Sequence, residues 1–261
     1  KQITKSSHSL RFFRVLDGTL STFSGSKRET KFVIDKILNV ADGKARGKGP
    51  LTLSNSGYTK LLVPNACIII DSLSAKNKIY STTPHAIEIY VGKCRLLGSC
   101  GSSFSKNNEW KKILRSTAAH STVTLEESDA FMGEDKNQKS FTKRYTKNGS
   151  EILELIHYGY FNRYLSICSR KIELGKDGKN IAGLDKIESK KLSKFCIRFH
   201  FSPEIKISLS LDKQSVVLAT KDQGWRFLHE GEARLSLDAS IFIEDDGTIK
   251  NTFQIVLSGS T

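Results

Sequence analysis

The chain has 261 residues, 26% of them charged and 38% hydrophobic, with a formal net charge of +14. That balance, with length enough to bury a sizeable core, excludes a disordered or fibrous chain. The longest apolar run, around Cys67-Ile-Ile-Ile70, is far too short to cross a bilayer as a helix. No basic-then-apolar leader opens the sequence; it starts at Lys1, which reads as a fragment or processed product and leaves export of a longer parent open.

Period-2 patterns dominate the chain. Strands are expected at residues 10–16 and 20–24, with Asp17-Gly18 as the turn between them. Residues 36–40 form a short helical candidate. The Gly-rich stretch from Lys44 to Lys48 holds the densest basic cluster and reads as a loop. Further strands follow at residues 60–63, 87–90, 95–97 and 121–125, and then a polar loop at 126–147. The apolar sets at residues 152–156 and 164–170 alternate as strands, and residues 184–194 are the second short helical candidate. Phe195, Ile197, Phe199 and Phe201 share one face of a strand whose other face holds Cys196, Arg198 and His200. Strands at 205–211, 215–220, 224–229, 233–243 and 248–257 complete the series. Turn pairs such as Asn148-Gly149, Asp177-Gly178 and Asp246-Gly247 punctuate them. Short, closely spaced strands without a βαβ rhythm predict an all-β fold: one large antiparallel β-sandwich over residues 1–261, with little helix.

Composition narrows the chemistry. The five cysteines are scattered without a Cys-x-x-Cys pair, so they read as buried free thiols, with a Cys94–Cys100 bridge as the alternative. The positive charge suits a polyanion, yet the lysines are dispersed, which reads as a solvated surface rather than a groove. Clustered arginine is absent, and no aromatic interleaving supports single-stranded nucleic acid, which is disfavoured as a partner. No Gly-x-Ser-x-Gly elbow, phosphate loop or His-Glu-x-x-His helix is present.

One stretch is more specific. Arg115-Ser-Thr-Ala-Ala-His-Ser-Thr122 sets a histidine between alanines and hydroxyl residues at the entry to a strand. Before it come Ser56-Gly-Tyr58, Cys67–Asp71, and Arg95 through Cys100-Gly101. After it come His157-Tyr-Gly-Tyr160, Arg198-Phe-His200, Gly224-Trp-Arg226 and the segment from Gln254 to Gly259. In this order the set resembles the sandwich domain of the heparinase II/III-like family of bacterial polysaccharide lyases.

The resemblance implies β-elimination on, or binding of, a uronic-acid-containing acidic polysaccharide in the periplasm or cell envelope. It implies His85 and His120 as catalytic candidates and Tyr58, Arg115, Arg198 and His200 as substrate-binding candidates. Two departures bear on it. The family's histidine-bearing strand falls near residues 80–88. Anchoring on Glu88 puts Ser81 at the histidine position, while anchoring on His85-Ala86 requires a deletion. The family's α/α-toroid, a partner domain of a longer parent, is absent. Related lyases hold a metal near the counterpart of His120, but Ser99 stands where an aspartate ligand is expected. The ligand set for a divalent ion is thus incomplete, and no metal or cofactor is assigned. The alternative function is a non-catalytic carbohydrate-binding or structural sandwich, in which His120 caps a turn and His157 and His200 are hydrogen-bonded core residues. His8 and His229 read as surface residues.

Overall fold

The strand Ala66–Asp71 is buried at all six positions, which accounts for its unbroken apolar run. Ile68 and Ile70 face one layer, while Cys67 and Ile69 face another. A strand covered on both sides loses the alternation that marks a half-exposed one. The computed structural model describes residues 2–42, 47–72, 83–103, 107–132 and 140–261. The Ser81 position and most of the Lys44–Lys48 cluster lie outside them.

The strands are β1 (Thr52–Leu53), β2 (Tyr58–Val63), β3 (Ala66–Asp71), β4 (Ile87–Val91), β5 (Cys94–Gly98) and β6 (Val123–Leu125). Next come β7 (Ser140–Lys147), β8 (Ser150–Tyr160), β9 (Ser166–Leu174), β10 (Ile181–Ser189) and β11 (Lys194–Phe201). The last five are β12 (Lys206–Leu209), β13 (Ser215–Ala219), β14 (Gly224–Leu228), β15 (Arg234–Ile243) and β16 (Ile249–Ser260). The helices are α1 (Gln2–Phe13), α2 (Lys31–Asp42), α3 (Asn108–Ile113) and the single turn α4 (Phe161–Tyr164).

A nine-stranded sheet runs β1-β2-β3-β4-β5-β11-β16-β15, with β6 also paired to β11. A four-stranded sheet, β10-β9-β8-β7, lies over it, and a three-stranded sheet, β12-β13-β14, adds Val216 and Leu218 to the same core. Pairing between the named strands is antiparallel throughout, as the alternation requires. The core between the layers holds Ile68, Ile89, Leu155, Ile172, Ile197 and Ile255. Each such buried aliphatic contributes about 1.5–3 kcal/mol. The other face of the large sheet is covered by the N-terminal segment, which packs Phe12, Val15 and Phe23 on Cys67, Ile69 and Tyr90. Arg170 on β9 ties the layers together. It holds Asp185 through Nε (2.6 Å) and Nη2 (3.0 Å), and its Nη1 donates to the carbonyls of His85 (2.8 Å) and Ser121 (3.0 Å).

The antiparallel sandwich agrees with the expectation, and several local assignments do not. Residues 10–16 are not a strand: α1 runs to Phe13, and residues 20–24 give way to a 3₁₀ turn at Phe23–Gly25. Ser7, Arg11 and Phe12, at helical spacing, are the buried positions, so packing on the sheet outweighs the local alternation. The helix expected at 36–40 exists and is longer. The one expected at 184–194 is the strand β10, held in register to β9 from Ile181↔Leu174 to Ser189↔Ser166. The second part of the loop expected at 126–147 is β7. All five cysteines are free, which removes the Cys94–Cys100 bridge.

Candidate functional site

Tyr58 opens β2 and stands beside a cavity of about 640 Å³ between α1 and the segment Leu20–Lys27. Its ring meets Phe13 at 5.1 Å and Phe23 at 5.2 Å between centroids, edge-on and tilted respectively. Burial holds the phenol protonated well above its ordinary range, and the negative charges of Asp71 and Glu88 add to the effect. Serine hydroxyls and Lys27 complete the lining, which includes no histidine.

Beneath this wall lies a buried polar network. Arg95 donates to Glu88 at 2.9 Å, with both side chains nearly inaccessible. Tyr90 donates its hydroxyl to Glu88 at 2.7 Å, and the amide and hydroxyl of Thr22 donate to the same carboxylate. Arg95 also donates to the Ser99 hydroxyl, which donates in turn to the Thr22 carbonyl at 3.1 Å. The guanidinium is accommodated because residue 98 is glycine: a Cβ there would sit 2.2 Å from Nη2. A second small residue is required at Gly101, whose φ is +101° and whose Cβ would lie 2.1 Å from the Ile243 carbonyl.

His120 belongs to this wall rather than to an open surface. The Ser24 amide donates to its Nε2 at 3.1 Å, so the proton sits on Nδ1, which donates to the Ser116 carbonyl at 2.9 Å. Burial pushes the ring below its ordinary pKa, opposed by the Ser116 carbonyl. The side chain thereby pins the Phe23–Gly25 turn to the Thr117–Ala119 turn. Ser103 donates from both its amide and its hydroxyl to the Gly25 carbonyl, and so secures the next residue.

His200, on β11, lies near His120 but is bonded separately. Its Nε2 donates to the Ala118 carbonyl at 2.9 Å, and its Nδ1 faces the Ser240 hydroxyl at 3.0 Å. Burial drives its pKa to about 3, and nearby positive groups add to the shift. Arg198, half-buried on the same face, donates to the Thr124 hydroxyl at 2.5 Å. Arg115 is exposed. His85 lies in left-handed backbone at φ +57° and is 2% exposed, and its carbonyl shares Arg170 Nη1 with that of Ser121. Its ring packs edge-on against His157 at 4.5 Å, and the Nε2 atoms of both rings are buried without a hydrogen-bond partner. Burial lowers both pKa values, that of His157 to about 3.

The six residues named from sequence therefore fall into separate places. Tyr58 lines the cavity, His120 and His200 lie in the wall behind it, and His85 lies in the seam between the sheets. The residues around His120 do not fit a metal, because both ring nitrogens are used by backbone groups and the Ser99 hydroxyl is committed to Thr22. Among the described residues no group of three or more His, Cys, Asp or Glu converges on one point. Thr22, Ser24 and Phe23, which build the wall, carry no sequence signature. Glu88 and Arg95 stand out as charged residues inside strands otherwise made mostly of apolar ones, and both fall in segments that carry the family resemblance.

An antiparallel sandwich with a helical cover on its large sheet defines the structural class. The family described as Heparinase II/III-like, C-terminal, matches residues 45–261, and the chain belongs to it. FtsZ-localized protein C of Caulobacter vibrioides (strain NA1000 / CB15N) is 26% identical over 98% of this chain and 48% of its own length. Heparinase III, the BT4657 gene product, superposes with a TM-score of 0.77 at 15% identity, over 96% of this chain and 42% of that one. Heparan sulfate lyase HepC from Pedobacter heparinus gives a TM-score of 0.70 at 15% identity, over 97% and 46%. The chain thus spans about half the length of these relatives.

Proposed function

We propose that residues 1–261 form the sandwich domain of a polysaccharide-lyase-like protein of the periplasm or cell envelope. In this reading the chain binds a uronate-containing acidic polysaccharide and performs no elimination by itself. The observation that carries the reading is His120, whose two ring nitrogens are both held by backbone groups inside the protein. Elimination requires a base within hydrogen-bond reach of the C5 proton, and an imidazole in this position has no free nitrogen to offer. His200 is bonded through both ring nitrogens, to the Ala118 carbonyl and the Ser240 hydroxyl, and His85 is only 2% exposed, so its unpartnered Nε2 is closed off from solvent. Family membership, the charge of +14 and the aromatic cavity at Tyr58 support binding of an acidic glycan.

The test uses the chain with alginate and heparan sulfate. The ultraviolet absorbance of an unsaturated uronate product should stay at background, while the chain is retained on immobilised uronate polymer more than on neutral glucan. Sustained turnover would overturn the non-catalytic part. A second reading, a scaffold without glycan affinity, is favoured by the likeness to a protein named for its localisation with FtsZ, which covers 98% of this chain. Equal retention on charged and neutral polymers would select that reading.

A further inference from the structure

We propose that the cavity at Tyr58 seats one sugar ring of the glycan; this rests on the glycan-binding reading above and assigns it a place. At about 640 Å³ the space falls within the range of roughly 300–1,000 Å³ usual for small-ligand pockets. Its chemistry has two parts. Phe13, Phe23 and Tyr58 present apolar ring surface, which suits the C–H face of a pyranose, and their mutual contacts fix their orientation. Ser6, Ser9, Ser21 and Ser26 line the same space, and residues of this type suit the polar edge of a sugar. The Ser21 Oγ is buried and has no hydrogen-bond partner. A buried hydroxyl left this way is destabilising, and a ligand hydroxyl bonded to it would remove that cost. Lys27 stands at the rim, ion-paired with Glu29 at 2.7 Å, and a uronate carboxylate would have to compete with that partner for its ammonium group.

The wall is built before any ligand arrives. Thr22 is held by Glu88 and Ser99, Ser24 by His120, and Gly25 by Ser103. A wall fixed in this way spares the ligand the cost of ordering it. Apart from Tyr58, the lining comes from residues 6–27, outside the stretch matched to the family.

The experiment measures binding of a saturated alginate tetrasaccharide to the full chain by calorimetry, with amide shifts followed by NMR. The expected result is binding that shifts the Phe23 and Ser24 amides and weakens at least tenfold in Tyr58→Ala. Ser21→Ala should weaken binding while raising the melting temperature of the free protein, because it deletes the unpartnered hydroxyl; this variant serves if Tyr58→Ala fails to fold. Lys194→Gln with Arg234→Gln, in a separate groove, should leave affinity unchanged. Affinity unaltered by both cavity variants, or retention of polymer with no tetrasaccharide binding, overturns the site and leaves the glycan reading standing. A wild-type chain that binds neither tetrasaccharide nor polymer overturns both.

Discussion

His120 shows how a residue picked for its chemistry acts through geometry. Its imidazole is an acceptor for Ser24 and a donor to Ser116, and no third partner can reach it without breaking one of these bonds. His120→Ala should destabilise the chain by about 1–3 kcal/mol, since it removes both part-buried hydrogen bonds that tie the Ser24 amide to the Ser116 carbonyl, and urea denaturation reads this directly. Glu88→Ala should cost more, about 3–5 kcal/mol by the same measurement, because Arg95 would remain charged and buried without its carboxylate. The histidines also set a pH dependence. In the folded chain His85, His120, His157 and His200 resist protonation, His157 and His200 down to about pH 3, whereas the unfolded chain takes up these protons near the ordinary value of 6.5. Their stabilising contribution is therefore complete above pH 6.5 and lost as pH falls. His157 and His200, whose folded-state values lie at about 3, each remove about 1.4 kcal/mol per pH unit in that window. Urea midpoints that stay flat from neutrality to pH 4.5 (about two units of the window) would contradict the buried neutral assignment.

At the scale of elements, the N-terminal helices and turns act as the cover for one face of the large sheet. Without them Cys67, Ile69, Ala86 and Tyr90 face water, although these residues lie within the stretch that matches the family. A chain lacking residues 1–42 should lose its monomeric peak in size-exclusion chromatography and appear as aggregate, because a contiguous apolar sheet face is exposed. A soluble monomer with unchanged far-ultraviolet circular dichroism would show that the cover is dispensable. Arg170 does the corresponding work between the sheets, joining β9 and β10 to the turn before β4 and to the start of the 121–125 segment. Its position on β9 is legible from alternation; its partners on three other segments are not.

For the molecule as a whole, charge and fold act at different ranges. The net charge of +14 attracts polyanions over distances set by the ionic strength, without selecting a sugar. Retention on a uronate polymer should therefore fall steeply as salt rises. A component that persists in high salt and disappears in Tyr58→Ala would be the part contributed by the cavity. The chain covers 42% of the heparinase III structure and 46% of the HepC structure whose fold it shares.

The sequence by itself determined the class of fold, because a period of two and Asp-Gly or Asn-Gly turns are local properties that antiparallel strands impose residue by residue. It also determined the family, through the order of short segments from Ser56-Gly-Tyr58 to the end of β16. Tertiary structure decided which apolar segments became helix or strand where local signals were ambiguous: packing on Cys67 and Ile69 made α1 a helix, and pairing with β9 made β10 a strand. It also decided what the histidines do. An imidazole in a sequence looks the same whether it faces a cleft or a backbone amide from a segment 96 residues away, as His120 faces Ser24. That contact depends on how the chain returns over the sheet, and no local pattern records it.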